Sequence, residues 1–307
     1  MERSYLEGIK YPKLRSSYMG AALGAARYLG YKESDAWFYG VSGMAFFGHS
    51  SAEGMCPSYP TDWNIGAAPD QSKAGISHQP LLVPDGDVPK AVKSALEKGL
   101  VVTGWSGVVC EQIIVCGYAD TPQGETIRYL SPPGGEGQFH PWNMFDDGPC
   151  QVVLTTPADD RTLVSMGLRC TIDMRDDPRR FSPGANMAMG SEAFRVTAEW
   201  LNKKEVLGGE FSYNVEVWEE CRRHAVSFLH EANARLDDER LNKPLDDLAR
   251  QFETIHGELK AIVDTFSGGV PEGKHDEYAQ HLCTAYEVEK KAIGSIEAIL
   301  TLMGRET

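Results

Sequence analysis

The stretch LRSSYMGAALGAARYLGY, residues 14–31, predicts a loop followed by a helix built from unusually small residues. Glycine and alanine dominate the turns after Tyr18. Gly30 is a suitable C-terminal stop, because glycine readily adopts the left-handed backbone that ends helices. A helix with so few large side chains lets other backbone pack closely against it.

A second helix and a run of closely spaced strands follow in the first half of the chain. DVPKAVKSALEKG, residues 87–99, has its apolar residues on one side and ends at Gly99. Turn residues separate the strand candidates, which favours an antiparallel sheet with helices ahead of it in sequence. The candidates are LVVTGW (100–105), EQIIVCGYAD (111–120), TIRYLSP (126–132) and, after the aromatic loop QFHPWNMFDDG, CQVVLTTP (150–157).

The second half has sustained helical periodicity. From Leu245 to Phe266 apolar residues recur at intervals of three and four, which indicates a helix with one core-facing stripe. The segments at 217–236 and 278–303 behave likewise. We therefore predict an α+β protein with an antiparallel-sheet domain over 1–160, a linker or extra strand over 161–185, and an all-helical domain over 186–307.

The charge and composition of the chain limit the kinds of partner that it is expected to bind. The chain of 307 residues carries a net charge of -14, and without a Lys/Arg cluster we expect no nucleic acid and favour a neutral or cationic ligand. It has no apolar signal core and no apolar run approaching about 18 residues, which predicts a cytoplasmic protein with no membrane association. Seven scattered cysteines without a Cys-x-x-Cys pair indicate neither a disulfide framework nor a zinc site.

Two segments resemble phosphate-binding or zinc motifs but lack residues that those motifs need. SPPGGEGQF, residues 131–139, lacks the Lys-Ser/Thr and the helix that follow a phosphate-binding loop. HEANA, residues 230–234, has alanine where the His-Glu-x-x-His zinc motif needs its second histidine. We therefore expect no cofactor and no metal. His49 and His140 lie in predicted aromatic-rich loops and are candidate ligand-binding residues.

The order of elements resembles a papain-like fold. The small-residue helix is followed by GVSGMAFF (40–47), by the strands that end in GYAD and YLSP, and by PWNMF before the last strand. This order resembles the bacteriocin-leader-processing peptidases and, more closely, the butirosin-biosynthesis H protein family, acyltransferases that pass an acyl group from a carrier protein to an aminoglycoside amine. The resemblance implies a papain-like fold for 1–160, an amine substrate, and an acyl carrier protein as a partner.

The C-terminal half is similar to the helical domain that accompanies the butirosin-type domain. The resemblance therefore covers nearly the whole chain. It is carried by GSEAFRVTAEWL (190–201), VWEECRRHAVSFLHEA (217–232), LARQFETIHGELKAI (248–262) and EVEKKAIGSIEAI (287–299).

This sequence departs from the family pattern at all three catalytic positions. The resemblance aligns Ser17 with the nucleophilic cysteine, Glu111 with the base histidine and Ser131 with the orienting acid. Papain-type catalysis pairs a thiolate with an imidazolium. A serine hydroxyl is far less acidic than a thiol, and a glutamate with an ordinary pKa of about 4.3 is a weak base toward an alcohol. Ordinary Cys–His chemistry is therefore not expected.

A relocated catalytic set is an alternative, with Cys110 or Cys56 as nucleophile and His49 or His140 as base. Strand alternation places Cys110 and Gln112 on the face opposite Glu111, which argues against such a dyad. Packing of Cys110 and Cys116 in the sheet is the favoured interpretation.

The remaining polar groups, Ser17, Tyr18, Glu111, Gln112 and Ser131, are predicted to lie in a cleft. A carboxylate beside aromatic rings suits an amine or another cation. In the alternative interpretation Glu111 faces solvent on an edge strand and the rings belong to the core. The aromatic residues considered for lining or support are Trp105, Trp37, Phe46, Phe47, Trp63 and Trp142.

Three functions stay open at this point, and a homo-oligomer is compatible with each. The first is a small-molecule, amine-binding protein with a diverged site in a biosynthetic setting. The second is an acyl- or aminoacyl-transferase, not a peptidase, in which Glu111 needs a pKa raised by burial. The third is a pseudoenzyme scaffold that binds a protein partner through its acidic helices.

Overall fold

The computed structural model describes the backbone of residues 2–4, 6–51, 71–106, 109–121, 124–132, 135–141, 145–181, 187–203, 209–266 and 269–304. Helices and strands are mixed in these ranges, so the predicted α+β class is confirmed. The strands are β1 (Glu2–Ser4), β2 (His49–Ser51), β3 (Ile76–Pro80), β4 (Val101–Ser106), β5 (Glu111–Thr121), β6 (Gly124–Ser131), β7 (Gly135–Pro141), β8 (Phe145–Leu154) and β9 (Met187–Met189). The helices are α1 (Ser17–Tyr28), α2 (Asp35–Val41), α3 (Val88–Glu97), α4 (Asp160–Asp176), α5 (Pro178–Phe181), α6 (Ser191–Lys203), α7 (Gly209–Leu236), α8 (Glu239–Val263) and α9 (His275–Met303).

The chain forms two compact units and passes between them more than once. Unit 1 combines Met1–Glu33 with Gln71–Pro157, and unit 2 combines Ser34–Asp70 with Ala158–Thr307. The segment Ser34–Asp70 lies inside the predicted first domain of 1–160 but belongs to unit 2 with the C-terminal helices. The physical reason is aromatic packing within unit 2, where the Trp37 ring lies 5.5 Å from the Phe228 ring.

Unit 1 contains an antiparallel sheet in the order β3-β8-β4-β5-β6-β7, with β1 paired to β5 beyond the end of β4. The predicted strands at 100–105, 111–120, 126–132 and 150–157 correspond to β4, β5, β6 and β8. The predicted aromatic loop is wrong in part, because its ends belong to β7 and β8. Pairing of β7 with β6 extends the sheet there.

Helix α1 packs closely against other backbone, as its small residues predict. The Ser16 Oγ accepts a hydrogen bond from the Met19 N–H at 3.4 Å and caps the helix. A Cβ at Gly24 would lie 2.7 Å from the Lys10 carbonyl oxygen and 2.8 Å from the Ile114 Cδ1. Gly30 follows the helix with a φ of 105°, which is the left-handed stop expected from the sequence.

Unit 2 contains a helix where the sequence suggested a linker or extra strand. Residues 160–176 form α4, whose N-cap Asp159 accepts a hydrogen bond from the Thr162 N–H at 2.9 Å. Its buried side chains include Leu163 and Leu168. The prediction for 161–185 is therefore wrong over the extent of α4 and α5, and 182–186 lie outside the described residues.

The predicted helices of the second half are present as α6 to α9. Helix α8 packs against both α7 and α9. A buried ion pair joins α7 to α9, where Arg222 donates to both carboxylate oxygens of Glu289 at 2.7 and 2.8 Å. The same guanidinium donates to the Phe47 carbonyl oxygen at 2.7 Å. In the part of the chain that the structure describes, none of the helices combines the length and apolar character needed to cross a bilayer.

Candidate functional site

Ser17 is held at the junction of α1 and β5. It is the first residue of α1 and only 5% exposed. Its Oγ accepts a hydrogen bond from the Gln112 backbone N–H, with an N···O distance of 3.2 Å. The Tyr11 hydroxyl lies 2.5 Å from the Ser17 carbonyl oxygen and 3.1 Å from the Gln112 carbonyl oxygen. The start of the helix is therefore tied to the start of the strand.

Glu111 is the first residue of β5 and is partly exposed. Burial raises the pKa of its carboxyl, and hydrogen bonding with the Ser17 hydroxyl offsets part of that rise. A hydroxyl has one proton to donate. Because the Ser17 Oγ already accepts from Gln112, its proton is available to the carboxylate. No cation among the described residues contributes to the pKa of Glu111.

The register of the sheet decides which other predicted residues accompany Glu111. Ser106 pairs with Glu111 and Trp105 pairs with Gln112. Directly paired residues share a face, and successive residues alternate between faces. Trp105 and Gln112 therefore lie on one face of this ladder and Glu111 on the other. Trp105, which the sequence suggested for lining or supporting the cleft, is thus on the face opposite Glu111.

Ser131 lies on the same face as Glu111. Leu130 pairs with Ile114, which sets Ser131 level with Ile113, two residues along from Glu111. Ser131 is only 4% exposed. Among the described residues no hydrogen bond joins its side chain to Glu111 or Ser17. The structure thus brings together the positions of the predicted nucleophile and base, with the third position nearby on the next strand.

Tyr18 has a neighbour that the sequence did not indicate. It is 7% exposed, and its ring centroid lies 5.7 Å from that of His78 on β3. Burial lowers the pKa of His78 to about 4, so its imidazole is neutral at physiological pH. A single histidine in the short strand ISHQP gives no pattern from which this contact could be predicted.

His49 and His140, the two histidines predicted to lie in loops, are both part of strands. His49 lies in β2 of unit 2, where it pairs with Met189 and is 0% exposed. Its placement in an accessible loop is wrong, because its ring packs in the core 5.2 Å from the Phe47 ring. His140 pairs through its backbone with Ile127 in β7, and its side chain lies outside the described residues.

The aromatic residues named for the cleft mostly serve the core. Trp37, Phe46 and Phe47 are all 4% exposed or less in unit 2. Their predicted role in lining the cleft is wrong, because they pack inside the helical unit, and the alternative that they are core residues is confirmed. Trp63 and Trp142 lie outside the described residues.

The structure does not support the alternative catalytic set, in which Cys110 or Cys56 is the nucleophile and His49 or His140 the base. Cys110 is exposed and has a φ of 53°, but the suggested base His49 is fully buried. Cys116 is 4% exposed, and burial raises the pKa of its thiol to about 11, as expected for a packed, neutral side chain. Cys56 lies outside the described residues.

Neither a protein-family model nor a curated protein matches the chain. Among the described residues, no group of three His, Cys, Asp or Glu side chains is placed to hold a metal ion. Function must therefore be inferred from the side chains themselves. The strongest arrangement in unit 1 is the pair Ser17 and Glu111, which we call the Ser17–Glu111 site.

Proposed function

We propose that this chain is a small-molecule-binding protein that holds an amine at the Ser17–Glu111 site of a papain-like unit. The observation that carries the proposal is the partly buried Glu111 carboxyl, whose pKa is raised and to which no described cation contributes. A carboxylate disfavoured by burial gains most from a ligand that brings a positive charge. A cationic amine is therefore the ligand best matched to this site.

The hydrogen-bonding capacity of the site also suits an ammonium group. An ammonium has three N–H donors, and an ionised carboxylate accepts at about four lone-pair positions. Ser17 occupies only part of that capacity at Glu111. The Ser17 Oγ itself accepts one hydrogen bond from Gln112, which leaves it a second lone pair. One ligand amine can thus bond to both side chains.

The papain-like assignment is supported by the order and contacts of the elements. A serine opens the small-residue helix α1, the helix packs on an antiparallel sheet, and the side chain at the start of β5 meets that serine. In the family that the sequence resembles, these positions hold the nucleophile and the base. The same resemblance suggests a cytoplasmic, biosynthetic setting and an acyl carrier protein as a partner.

A second candidate, acyl transfer, is favoured by the effect of the Ser17 hydroxyl on Glu111, whose carboxyl pKa it lowers against the effect of burial. The Ser17 Oγ would attack the carbonyl of a carrier thioester, its proton would pass to Glu111, and the thiolate would leave. The amine would then displace Ser17 from the acyl group. We rank this second, because even a raised carboxyl pKa stays far below that of an alcohol, and Ser17 is only 5% exposed.

Calorimetric titration separates these functions. We would titrate the chain with putrescine and kanamycin, using uncharged 1,4-butanediol as the matched control ligand. Glu111→Gln keeps the shape of the side chain and should weaken putrescine binding about tenfold, as expected for loss of a charge-assisted hydrogen bond. Glu7→Gln, at an exposed position in unit 1, is the matched control variant and should bind as the wild type does.

Equal binding of butanediol and putrescine, or unchanged binding by Glu111→Gln, would overturn the amine proposal. Acyl transfer is read separately by intact mass after incubation with an acyl thioester of N-acetylcysteamine. An acyl adduct on the wild type that is absent from Ser17→Ala would move the transferase to first place.

A further inference from the structure

Unit 2 contains a cavity of its own, independent of the Ser17–Glu111 site. Its volume is about 430 Å³, within the range typical of small-molecule sites. Residues of α4, β9, α6 and α9 line it. Part of the wall is apolar and consists of Met174, Met189, Val196 and Ile293.

Three cationic side chains reach this cavity, together with one carboxylate. The cations are Arg175, Arg195 and Lys290, and the carboxylate is Glu192. The Lys290 Nζ lies 5.6 Å from the centre of the Tyr286 ring, and among the described residues Lys290 forms no ion pair. The lining itself thus carries three cations and one carboxylate, in a chain whose net charge is -14.

Carboxylates orient the two arginines, and one of these carboxylates, Glu192, itself lines the cavity. Arg175 donates to Asp176 and Glu297 at 2.7 Å each. Arg195 donates to Glu192 at 2.7 Å and also to Glu199. A guanidinium has five N–H donors, so these bonds orient both groups and leave donors for a ligand. Four carboxylates balance the charge of the two arginines, so Lys290 supplies the positive charge that is left for a ligand. A singly charged anion therefore fits better than a doubly charged one.

A buried hydroxyl without a partner supplies a second, independent observation. Thr171 lines the cavity and is only 3% exposed, and its Oγ1 has no hydrogen-bond partner among the described residues. An unsatisfied buried hydroxyl costs free energy that a bound acceptor would recover. Ser191, the first residue of α6, also lines the cavity, whereas the N–H of the preceding Gly190 donates to the Gly48 carbonyl oxygen at 2.7 Å. Amide groups of a first helical turn lack partners within the helix and favour anions.

We propose that this cavity binds a singly charged oxyanion, a carboxylate or a phosphate diester, that carries a short apolar group. The anion would meet Thr171, Lys290 and the spare N–H groups of the arginines. The apolar group would lie against the methionine, valine and isoleucine side chains of the wall.

Calorimetric titration of the full chain with hexanoate and with hexyl methyl phosphate tests this, and hexanol and hexylamine are the matched controls. We expect hexanoate or hexyl methyl phosphate to bind, and hexanol and hexylamine to bind at least about tenfold more weakly. The tighter of the two anions identifies the head group. No anion binding up to about 10 mM, which is weaker than most specific recognition, would overturn the proposal.

Two substitutions locate the binding. Thr171→Val removes only the hydroxyl, and it should weaken anion binding about fivefold while leaving the fold intact or more stable, since an unsatisfied polar group is replaced. Lys290→Gln should weaken it about tenfold. Lys291→Gln, at the adjacent exposed position outside the lining, is the matched control. If both cavity variants bind the anion as tightly as Lys291→Gln does, the site is elsewhere and the inference is wrong.

Discussion

The Ser17 Oγ lies 3.2 Å from the backbone nitrogen of Gln112 and accepts its hydrogen. This bond uses one lone pair of the oxygen and leaves the hydroxyl proton free to be donated to Glu111. A helix start and a strand start are thereby joined through one side chain. The predictions that follow for unit 1 depend on this arrangement.

The first prediction concerns the stability cost of the Glu111 charge. Its pKa is raised in the folded protein, so the folded state binds the proton more tightly than the unfolded state does. The stability that this carboxyl contributes is present at low pH and is lost as pH rises through the raised pKa. Near pH 7, Glu111→Gln should therefore stabilise the protein by about 0.5–1 kcal/mol, because it removes a charge that burial disfavours. Replacing a polar group of a functional site often has this effect. Urea unfolding measures it, and Glu7→Gln should stay within about 0.5 kcal/mol of the wild type.

The second prediction is the pH dependence of amine binding. An amine binds the charged carboxylate, so putrescine affinity should be constant near neutral pH and fall as pH drops through the raised pKa of Glu111. The fall should approach tenfold per pH unit and begin above the pH expected for an ordinary glutamate, about 4.3. Titrations at a series of pH values measure it. The residual binding of Glu111→Gln should lack this dependence, and a matching fall in that variant would assign the effect to another group.

The third prediction uses a thiol as a reporter of the Ser17–Glu111 contact. In a Cys110→Ser background, which removes an exposed thiol, the thiol introduced by Ser17→Cys should react slowly with iodoacetamide. The reason is that a neighbouring carboxylate and burial both raise a thiol pKa. Adding Glu111→Gln should speed the reaction, and adding Glu111→His should speed it about tenfold or more, because an imidazolium stabilises the thiolate. Mass spectrometry of the labelled chain gives the rates. Equal rates in all three variants would contradict the contact.

The fourth prediction concerns backbone packing in unit 2. A Cβ at Gly167 of α4 would collide with the carbonyl oxygen of Gly40. Gly167→Ala should therefore destabilise the protein by about 1–3 kcal/mol, the usual cost of overpacking. Gly294→Ala is the control, because Gly294 lies inside α9 with nothing within 4 Å of an added Cβ. It should instead stabilise by about 0.5–1 kcal/mol through helix propensity. Thermal unfolding followed by circular dichroism distinguishes the two, and a loss of stability in both variants would remove the packing explanation.

Long periodic segments and closely spaced strands were predictable because their signals are local. The stripe from Leu245 to Phe266 matches α8 and its C-terminal turn, and the strand at 111–120 matches β5. The short strands β2 and β9 were not predictable, because each has three residues and their pairing joins distant parts of the chain. Helix α4 was missed because the sequence around it reads as a charged, proline-containing bridge.

The candidate site was predictable only in part. The family resemblance pointed to Ser17 and Glu111, and the structure brings these two side chains together. The contact between Tyr18 and His78 joins two elements distant in sequence, and no local pattern reports such a contact. The hydroxyl of Thr171 likewise becomes buried without a partner only when elements from distant parts of the chain enclose it.

Because the two units alternate along the chain, the core of unit 2 can be completed only late in synthesis. Trp37 and Phe46 leave the ribosome early, but their ring partners Phe228 and Phe252 belong to α7 and α8 and emerge much later. At a translation rate of about 5–20 residues per second, the early aromatic segment waits on the order of tens of seconds for those partners. Unit 2 therefore completes its core only near the end of translation, and a nascent chain that stalls before α8 exposes a sticky aromatic segment to chaperones.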